Sequence, residues 1–304
     1  MHGSGVKSLR TPTFGPMSLH EDFLSHLAQT SPYPIALDVI GAEGCHIFTR
    51  DGKRYLDLVA GLAVNNTGHR HPKVIAAIKD QCDRYLHVIP YGEFMQEPQT
   101  RYAAELASLL PPTLDNVYFV NSGTEAIEAS LKLAKRVTGR TQLIGCRKSY
   151  HGATHGSLSL TDNTAKRYRN LPLLPDTDHI TFNDPDDLER ISEHTAAVVV
   201  EPIQGDAGVR VPEHTWLRAL RQRCNDTGAL LVFDEVQTGF GRTGKPFAFQ
   251  HSGIVPDILV LGKALGGGLP MGAFVSSRAR MDLLTRDPVL GHITTFGGHP
   301  LPCV

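Results

Sequence analysis

A chain of 304 residues with 41% hydrophobic and 20% charged side chains carries enough apolar material for a large core, read as about two domains or one large α/β domain with attachments. Thirty basic against thirty-one acidic residues leave a net charge of -1 with no basic stripe, which argues against nucleic acid as a partner. Five widely spaced cysteines without a C-x-x-C pair argue against a disulfide framework or a cysteine zinc site, and no apolar run reaches membrane-spanning length. The expectation is a cytoplasmic protein acting on small molecules, bound neither to membrane nor to nucleic acid.

Along the chain, the first thirty residues contain Pro12, Pro16, Glu21 and Asp22 and no unbroken apolar stretch, so they do not read as a secretory signal. Met17 is a candidate natural start. Regular patterning begins near residue 43. Gly44–Thr49 and Arg54–Leu58 flank Asp51-Gly52, a hairpin signal, and this predicts an N-terminal segment over 1–65 carrying a small antiparallel hairpin. A large domain is expected over 66–304.

In that domain a helix is predicted over 72–87, with Val74, Ile75, Ile78 and Cys82 on one face. Another is predicted over 98–110, stopped by Pro111-Pro112. Seven short apolar runs follow, at 117–120, 143–146, 179–182, 196–201, 229–234, 257–262 and 272–276. Several are almost wholly apolar, as strands covered on both faces are. Helices over 124–137 and 213–226 lie between some of them, each closed by a glycine, Gly139 and Gly228. Alternating strand and helix predicts an α/β fold: a mostly parallel seven-stranded sheet flanked by helices.

Ligands bind at the carboxyl ends of strands in such sheets, and five of these ends carry polar residues. Asn121-Ser122-Gly123-Thr124-Glu125 opens directly into a helix, a plain N-cap or an anion cradle. Ser149-Tyr150-His151-Gly152 offers an aromatic face for a planar ring, or a half-buried core tyrosine. Glu201 ends the third strand and needs a partner or a cleft. Asp234, at the mouth of a central strand, needs a cation or a metal, and Gln237 follows it. Lys263 follows an apolar run and precedes Gly266-Gly267-Gly268; burial lowers a lysine's pKa, as imine formation requires. Together these are a phosphate cradle, a ring stacker, an acid for a pyridinium nitrogen and an amine, the fixtures of a pyridoxal 5'-phosphate (PLP) site.

Two rival motifs are weaker. Gly239 to Lys245 has the G-x-x-x-x-G-K spacing of a nucleotide loop, but Pro246 stands where a magnesium-binding hydroxyl belongs, and 247–250 is too short for the helix expected there. His69-x-His71 and His151-x-x-x-His155 have metal-like spacing, yet Gly152 occupies the position of the H-E-x-x-H carboxylate, and no metal site is expected.

With these residues assembled, the chain resembles the class III aminotransferases, the PLP fold-type I branch that contains acetylornithine and ornithine aminotransferases. The resemblance runs from about Tyr33 to Val304. It is carried by DEVQTGFGRTG from Asp234 and DILVLGKALGGGLPMG from Asp257, with NSGTEA, YHG and EPIQG in the family's order. It implies PLP held covalently by Lys263, with Asp234 on the pyridine nitrogen, Gln237 near the ring oxygen and Tyr150 on the ring face. Ser122, Gly123 and Thr124 are implied at the phosphate, His151 beside the cofactor, and Glu201 beside the substrate as a third catalytic residue. Thr295 is implied to reach the phosphate of a partner subunit, hence a homodimer with shared sites. The implied reaction moves an amino group, including a terminal one, from an amine or amino acid to an oxo acid such as 2-oxoglutarate or pyruvate by ping-pong kinetics. Alternatives are an aminomutase, a decarboxylase of the same fold, or an inactive chain. Ala153 replaces the arginine that grips a substrate carboxylate in many acetylornithine and ornithine enzymes. The chain stops at Val304, so the C-terminal small domain of the family is expected to be absent.

Overall fold

The computed structural model describes residues 18–90 and 92–304; Pro12, Pro16 and Met17 lie outside the described residues. Among the described residues, ten strands form two sheets. The smaller is antiparallel, in the order β1 (Val39–Glu43), β2 (His46–Thr49) and β3 (Arg54–Leu56). The predicted hairpin is therefore present but has a third strand in front of it. Residues 50–53 make a longer link than a two-residue turn: Gly52 takes φ +80°, and Thr49 N–H reaches the Lys53 carbonyl at 3.1 Å.

The larger sheet holds the seven predicted strands: β4 (Asn116–Val120), β5 (Gln142–Cys146), β6 (Thr177–Ile180), β7 (Thr195–Val200), β8 (Leu230–Asp234), β9 (Ile258–Leu261) and β10 (Gly272–Ser276). Their spatial order is β4-β10-β9-β8-β7-β5-β6. Only β10 runs against its neighbours; the β5–β6, β5–β7, β7–β8 and β8–β9 pairs are parallel. β6 begins and ends about two residues earlier than the apolar run 179–182 suggests, because Thr177 and Asp178 pair with Leu143 and Ile144 of β5.

Alternation along β8 explains the layering. Leu231 and Phe233 join one core cluster, which includes Trp216, Leu217, Leu220 and Cys224 of the helix His214–Thr227. Leu230 and Val232 join a second cluster with Ala126, Ile127 and Leu131 of the helix Gly123–Thr138. Successive side chains of a strand face opposite ways, so a wholly apolar strand demands cover on both faces. Both helices end where expected, at Gly139 (φ +68°) and Gly228 (φ +71°), left-handed positions suited to glycine.

The helix over 72–87 spans Pro72–Arg84, and its inward face differs from the expected one. Val74, Ile75 and Ile78 are half-buried, but Gln81 takes the buried position and Cys82 is exposed. The Gln81 amide donates to the Tyr85 carbonyl at 2.8 Å, a helix-end bond a cysteine cannot make. The second predicted helix spans Glu97–Ser108. Because six strands of the large sheet point the same way, their carboxyl ends share one edge, and β10 brings its amino end, Gly272, to that edge opposite Val120.

Candidate active site

The loops after β4, β8 and β9 meet closely. A methyl group on Gly123 would stand 2.8 Å from a Val236 methyl, and one on Gly262 would stand 3.2 Å from the Gly123 Cα, so neither position has room for a side chain. After β4 the chain enters the helix Gly123–Thr138. Ser122 is its N-cap, accepting the Glu125 N–H at 3.3 Å through its hydroxyl and the Ala126 N–H at 3.1 Å through its carbonyl. The Ser122 hydroxyl is thus engaged in capping, while the amides of Gly123 and Thr124 have no partner among the described residues and face the positive end of a sixteen-residue helix.

Asp234 closes β8, buried at 5% exposure. Its Oδ1 accepts the Val236 N–H at 3.0 Å, and its Oδ2 lies 2.8 Å from Nδ1 of His151, whose ring is fully buried. A carboxylate can only accept, so Nδ1 carries the proton of that bond. His151 therefore reaches the site through Asp234, and its other nitrogen, Nε2, is buried without a partner among the described residues.

Lys263 follows β9 at φ +47°, a left-handed conformation costing a lysine about 1–2 kcal/mol. Its ammonium donates to Oε1 of Gln237 at 2.8 Å. Burial holds its pKa below the usual lysine range, opposed by the carboxylates of Asp234, Glu201 and Asp206. Glu201, 6% exposed, accepts the Tyr150 N–H at 3.0 Å and the Gly205 N–H at 3.1 Å, and burial pushes its carboxyl up. Tyr150 is held by that bond with its ring partly open, and the Lys166 ammonium sits 4.6 Å from the ring centroid.

The structure thus brings together Ser122, Gly123, Thr124, Tyr150, His151, Glu201, Asp234, Gln237 and Lys263. Thr295 is not among them: it is exposed in the loop after residue 290, with no hydrogen bond to these groups. Three polar residues escaped sequence reading. Glu128 sits one helical turn after Thr124 and bonds the loop that follows Tyr150, a spacing visible in sequence only once the helix is known. Gln204, fully buried, donates to the Arg147 carbonyl at 2.9 Å and steadies the segment after Glu201. Glu235, 1% exposed, accepts the N–H groups of Ala248 (2.6 Å) and Phe249 (2.8 Å) and the Thr238 hydroxyl (3.0 Å).

In the glycine-rich segment after β8, the Lys245 ammonium donates to the Gln250 carbonyl at 2.9 Å, and only the short helix Phe249–Ser252 follows. His69 pairs with Asp57 at 2.8 Å and His151 with Asp234. Among the described residues, no group of three or more His, Cys, Asp or Glu side chains could hold a metal ion, and no helix is long and apolar enough to cross a membrane.

The residues present fit PLP. Uncommitted amides at a helix start suit a phosphate, a buried carboxylate suits a pyridinium nitrogen, and a lysine with lowered basicity suits an aldehyde. The buried, unpartnered His151 Nε2 and the glycine-lined junction add a cradle that side chains do not fill.

Comparison with known proteins agrees. The model of the class III aminotransferases matches residues 28–304. The acetylornithine aminotransferase of Methanopyrus kandleri is 43% identical over 279 residues, which are 91% of this chain and 70% of that protein. Curated relatives are spanned over 62% to 70% of their own length. Among solved structures, ornithine aminotransferase from Toxoplasma gondii, described with partial PLP occupancy at its active site, superposes with a TM-score of 0.85 at 31% identity, covering 92% of this chain and 67% of that one. An (S)-enantioselective omega-transaminase from Thermomicrobium roseum gives 0.84 at 31% identity, covering 93% and 71%. With its fold, its converging strand ends and these likenesses in agreement, the chain belongs to the class III aminotransferase family, whose cofactor is PLP.

Proposed function

We propose that the chain forms the cofactor-binding part of an aminotransferase that takes the amino group of a terminal amine and passes it to an oxo acid such as 2-oxoglutarate or pyruvate by ping-pong kinetics. One observation carries this reading: the loops after β4, β8 and β9 meet so closely that Gly123 and Gly262 have no room for a side chain, which gathers Lys263, the buried Asp234 and the free amides of Gly123 and Thr124 at one sheet edge. The terminal-amine preference is supported by the names of the relatives, which include acetylornithine, ornithine and omega-amine enzymes.

When bound, PLP supplies an electron-accepting ring and an aldehyde. Each residue then has a task. Asp234, whose oxygens accept from His151 Nδ1 and the Val236 N–H, would hold a proton at the ring nitrogen. Gln237 fixes the Lys263 Nζ, and burial lowers that amine's basicity, which favours its unprotonated form, the one that can act as a nucleophile or a base. Tyr150 covers one ring face, anchored through its N–H by Glu201, which lines the substrate side. Gly123 and Thr124 hold the phosphate. The division into an N-terminal segment, 1–65, and a cofactor domain from 66 belongs to the same proposal.

A homodimer is likewise proposed. Tyr33, Ile35, Leu58 and Met95 are each more than 80% exposed, and Phe296 beside Thr295 is 54% exposed, apolar side chains that a partner subunit would cover. The five cysteines, all unpaired, support a reducing cytoplasmic setting.

The test is chemical. Protein incubated with PLP and reduced with borohydride carries the coenzyme on Lys263, and Lys263→Ala carries none. A wild-type chain that stays unlabelled refutes the proposal.

A further inference from the structure

The phosphate-side and ring-side loops are joined by a cluster in which Thr124, placed at the phosphate above, meets two hydroxyls and a carboxylate not assigned there. Thr124 Oγ1 lies 2.8 Å from Thr154 Oγ1 and 2.7 Å from Ser157 Oγ, and it receives the Thr154 N–H at 3.4 Å. One oxygen of Glu128, Oε1, gathers the other side of the cluster. It accepts the N–H groups of Gly156 (2.8 Å) and Ser157 (3.0 Å) together with the Thr154 hydroxyl. The second oxygen, Oε2, makes no hydrogen bond among the described residues, and a methyl group on Gly156 would stand 2.1 Å from it. Glycine at 156 is what lets the carboxylate enter.

The proton directions follow from the chemistry. A carboxylate has no proton to give, so Thr154 donates to Glu128 and its oxygen is left to accept from Thr124 or Ser157. Gly152 closes the other side at φ +135°, and a methyl group there would overlap Thr124 Oγ1 at 2.3 Å. Thr124 follows Ser122 and Gly123 at the helix start, while Thr154 and Ser157 follow Tyr150 and His151 by a few residues.

We infer that Glu128 is a positioning residue, which through Thr154 and Ser157 sets the Thr124 hydroxyl and ties the phosphate-binding helix start to the loop carrying Tyr150 and His151. The inference rests on the PLP reading, since it assigns Thr124 to the phosphate. It predicts that losing Glu128 weakens recognition of the phosphate specifically, as distinct from the ring.

The experiment compares PLP with pyridoxal, which lacks the phosphate, by absorbance titration of this chain. Both aldehydes react with the same lysine, so the covalent step cancels in the ratio of their affinities. Glu128→Ala is expected to bind PLP about tenfold more weakly while pyridoxal binding changes less than about twofold, the size expected from losing the acceptor of one hydrogen-bond network. Glu128→Gln keeps an acceptor at Oε1 and puts its amide at the unbonded Oε2 position, so it restores the wild-type ratio. Equal weakening of both aldehydes by Glu128→Ala, an unchanged ratio, or a Glu128→Gln chain that behaves like Glu128→Ala overturns the inference. A wild-type chain that binds neither aldehyde, or shows no preference for PLP, overturns the cofactor reading instead.

Discussion

Gly272 is the position where a single methyl group should disturb the proposed phosphate site from across the sheet. It begins β10 and pairs with Val120, the last residue of β4. A Cβ on Gly272 would stand 2.1 Å from the Ser122 carbonyl oxygen, 2.5 Å from its carbon and 3.1 Å from a Val120 methyl. Real Cβ contacts do not fall below 3.0 Å, so the carbonyl must retreat by roughly 0.9 Å. That carbonyl accepts the first helical N–H, from Ala126, and the same residue's hydroxyl caps Glu125. Overpacking of a tight junction costs about 1–3 kcal/mol, and a compromised N-cap adds about 1 kcal/mol. Gly272→Ala is therefore expected to lose about 2–4 kcal/mol in urea unfolding, with weaker PLP binding because the Gly123 and Thr124 amides move with the cap. Gly41→Ala is the control: its Cβ meets nothing within 4 Å, and its φ is not positive; a change under about 0.5 kcal/mol is expected. Gly272→Ala within about 0.5 kcal/mol of wild type, binding PLP equally well, would refute the reasoning.

Two other outcomes follow from buried charge. Burial pushes the Glu235 carboxyl from 4.5 up to about 7. An acid whose folded pKa is raised keeps its proton in the native state after the unfolded chain has released it. Its stabilising contribution is complete below about pH 4.5 and is lost as pH rises toward 7, by up to about 3 kcal/mol. Glu235→Gln removes that titration, so urea midpoints of variant and wild type should diverge across this window; a difference constant with pH contradicts the assignment. His151→Ala leaves the buried Asp234 Oδ2 without its donor and should destabilise the fold by roughly 3 kcal/mol. In the His151→Ala/Asp234→Ala chain the two losses should not add, and additive losses would show that the pair is not coupled.

Most strands of the large sheet were legible because they are short, nearly unbroken apolar runs bounded by polar residues; β6 (Thr177–Ile180) is displaced from its run because its polar Thr177 and Asp178 pair with β5. Both long helices were legible from their periodicity and terminal glycines. The inward face of the helix Pro72–Arg84 was not, because Gln81 is buried through a bond to the Tyr85 carbonyl that composition does not foreshadow. Strand β1 was missed because Val39–Glu43 contains Gly41 and Ala42 and lacks alternation, its pairing with β2 being made by backbone contact. Among the candidate residues, Lys263, Asp234 and Glu201 stood out as charges at the ends of apolar strands, where an unpaired charge is costly.

By itself, the sequence determined the strand–helix alternation and the chemical inventory at the strand ends. These depend on residue type and on spacing over a few positions, which local hydrophobic periodicity encodes. Only the tertiary structure decided which inventory items meet. The β4-β10-β9-β8-β7-β5-β6 order puts residues 122, 234 and 263 on one edge, although more than a hundred positions separate the first two. The same order gives His151 its bond to Asp234, across 83 positions, and tertiary packing makes Glu128 the link between two loops. Such contacts come from parallel strand pairing and close packing between distant segments, and no local pattern of residues records which strand will lie beside which.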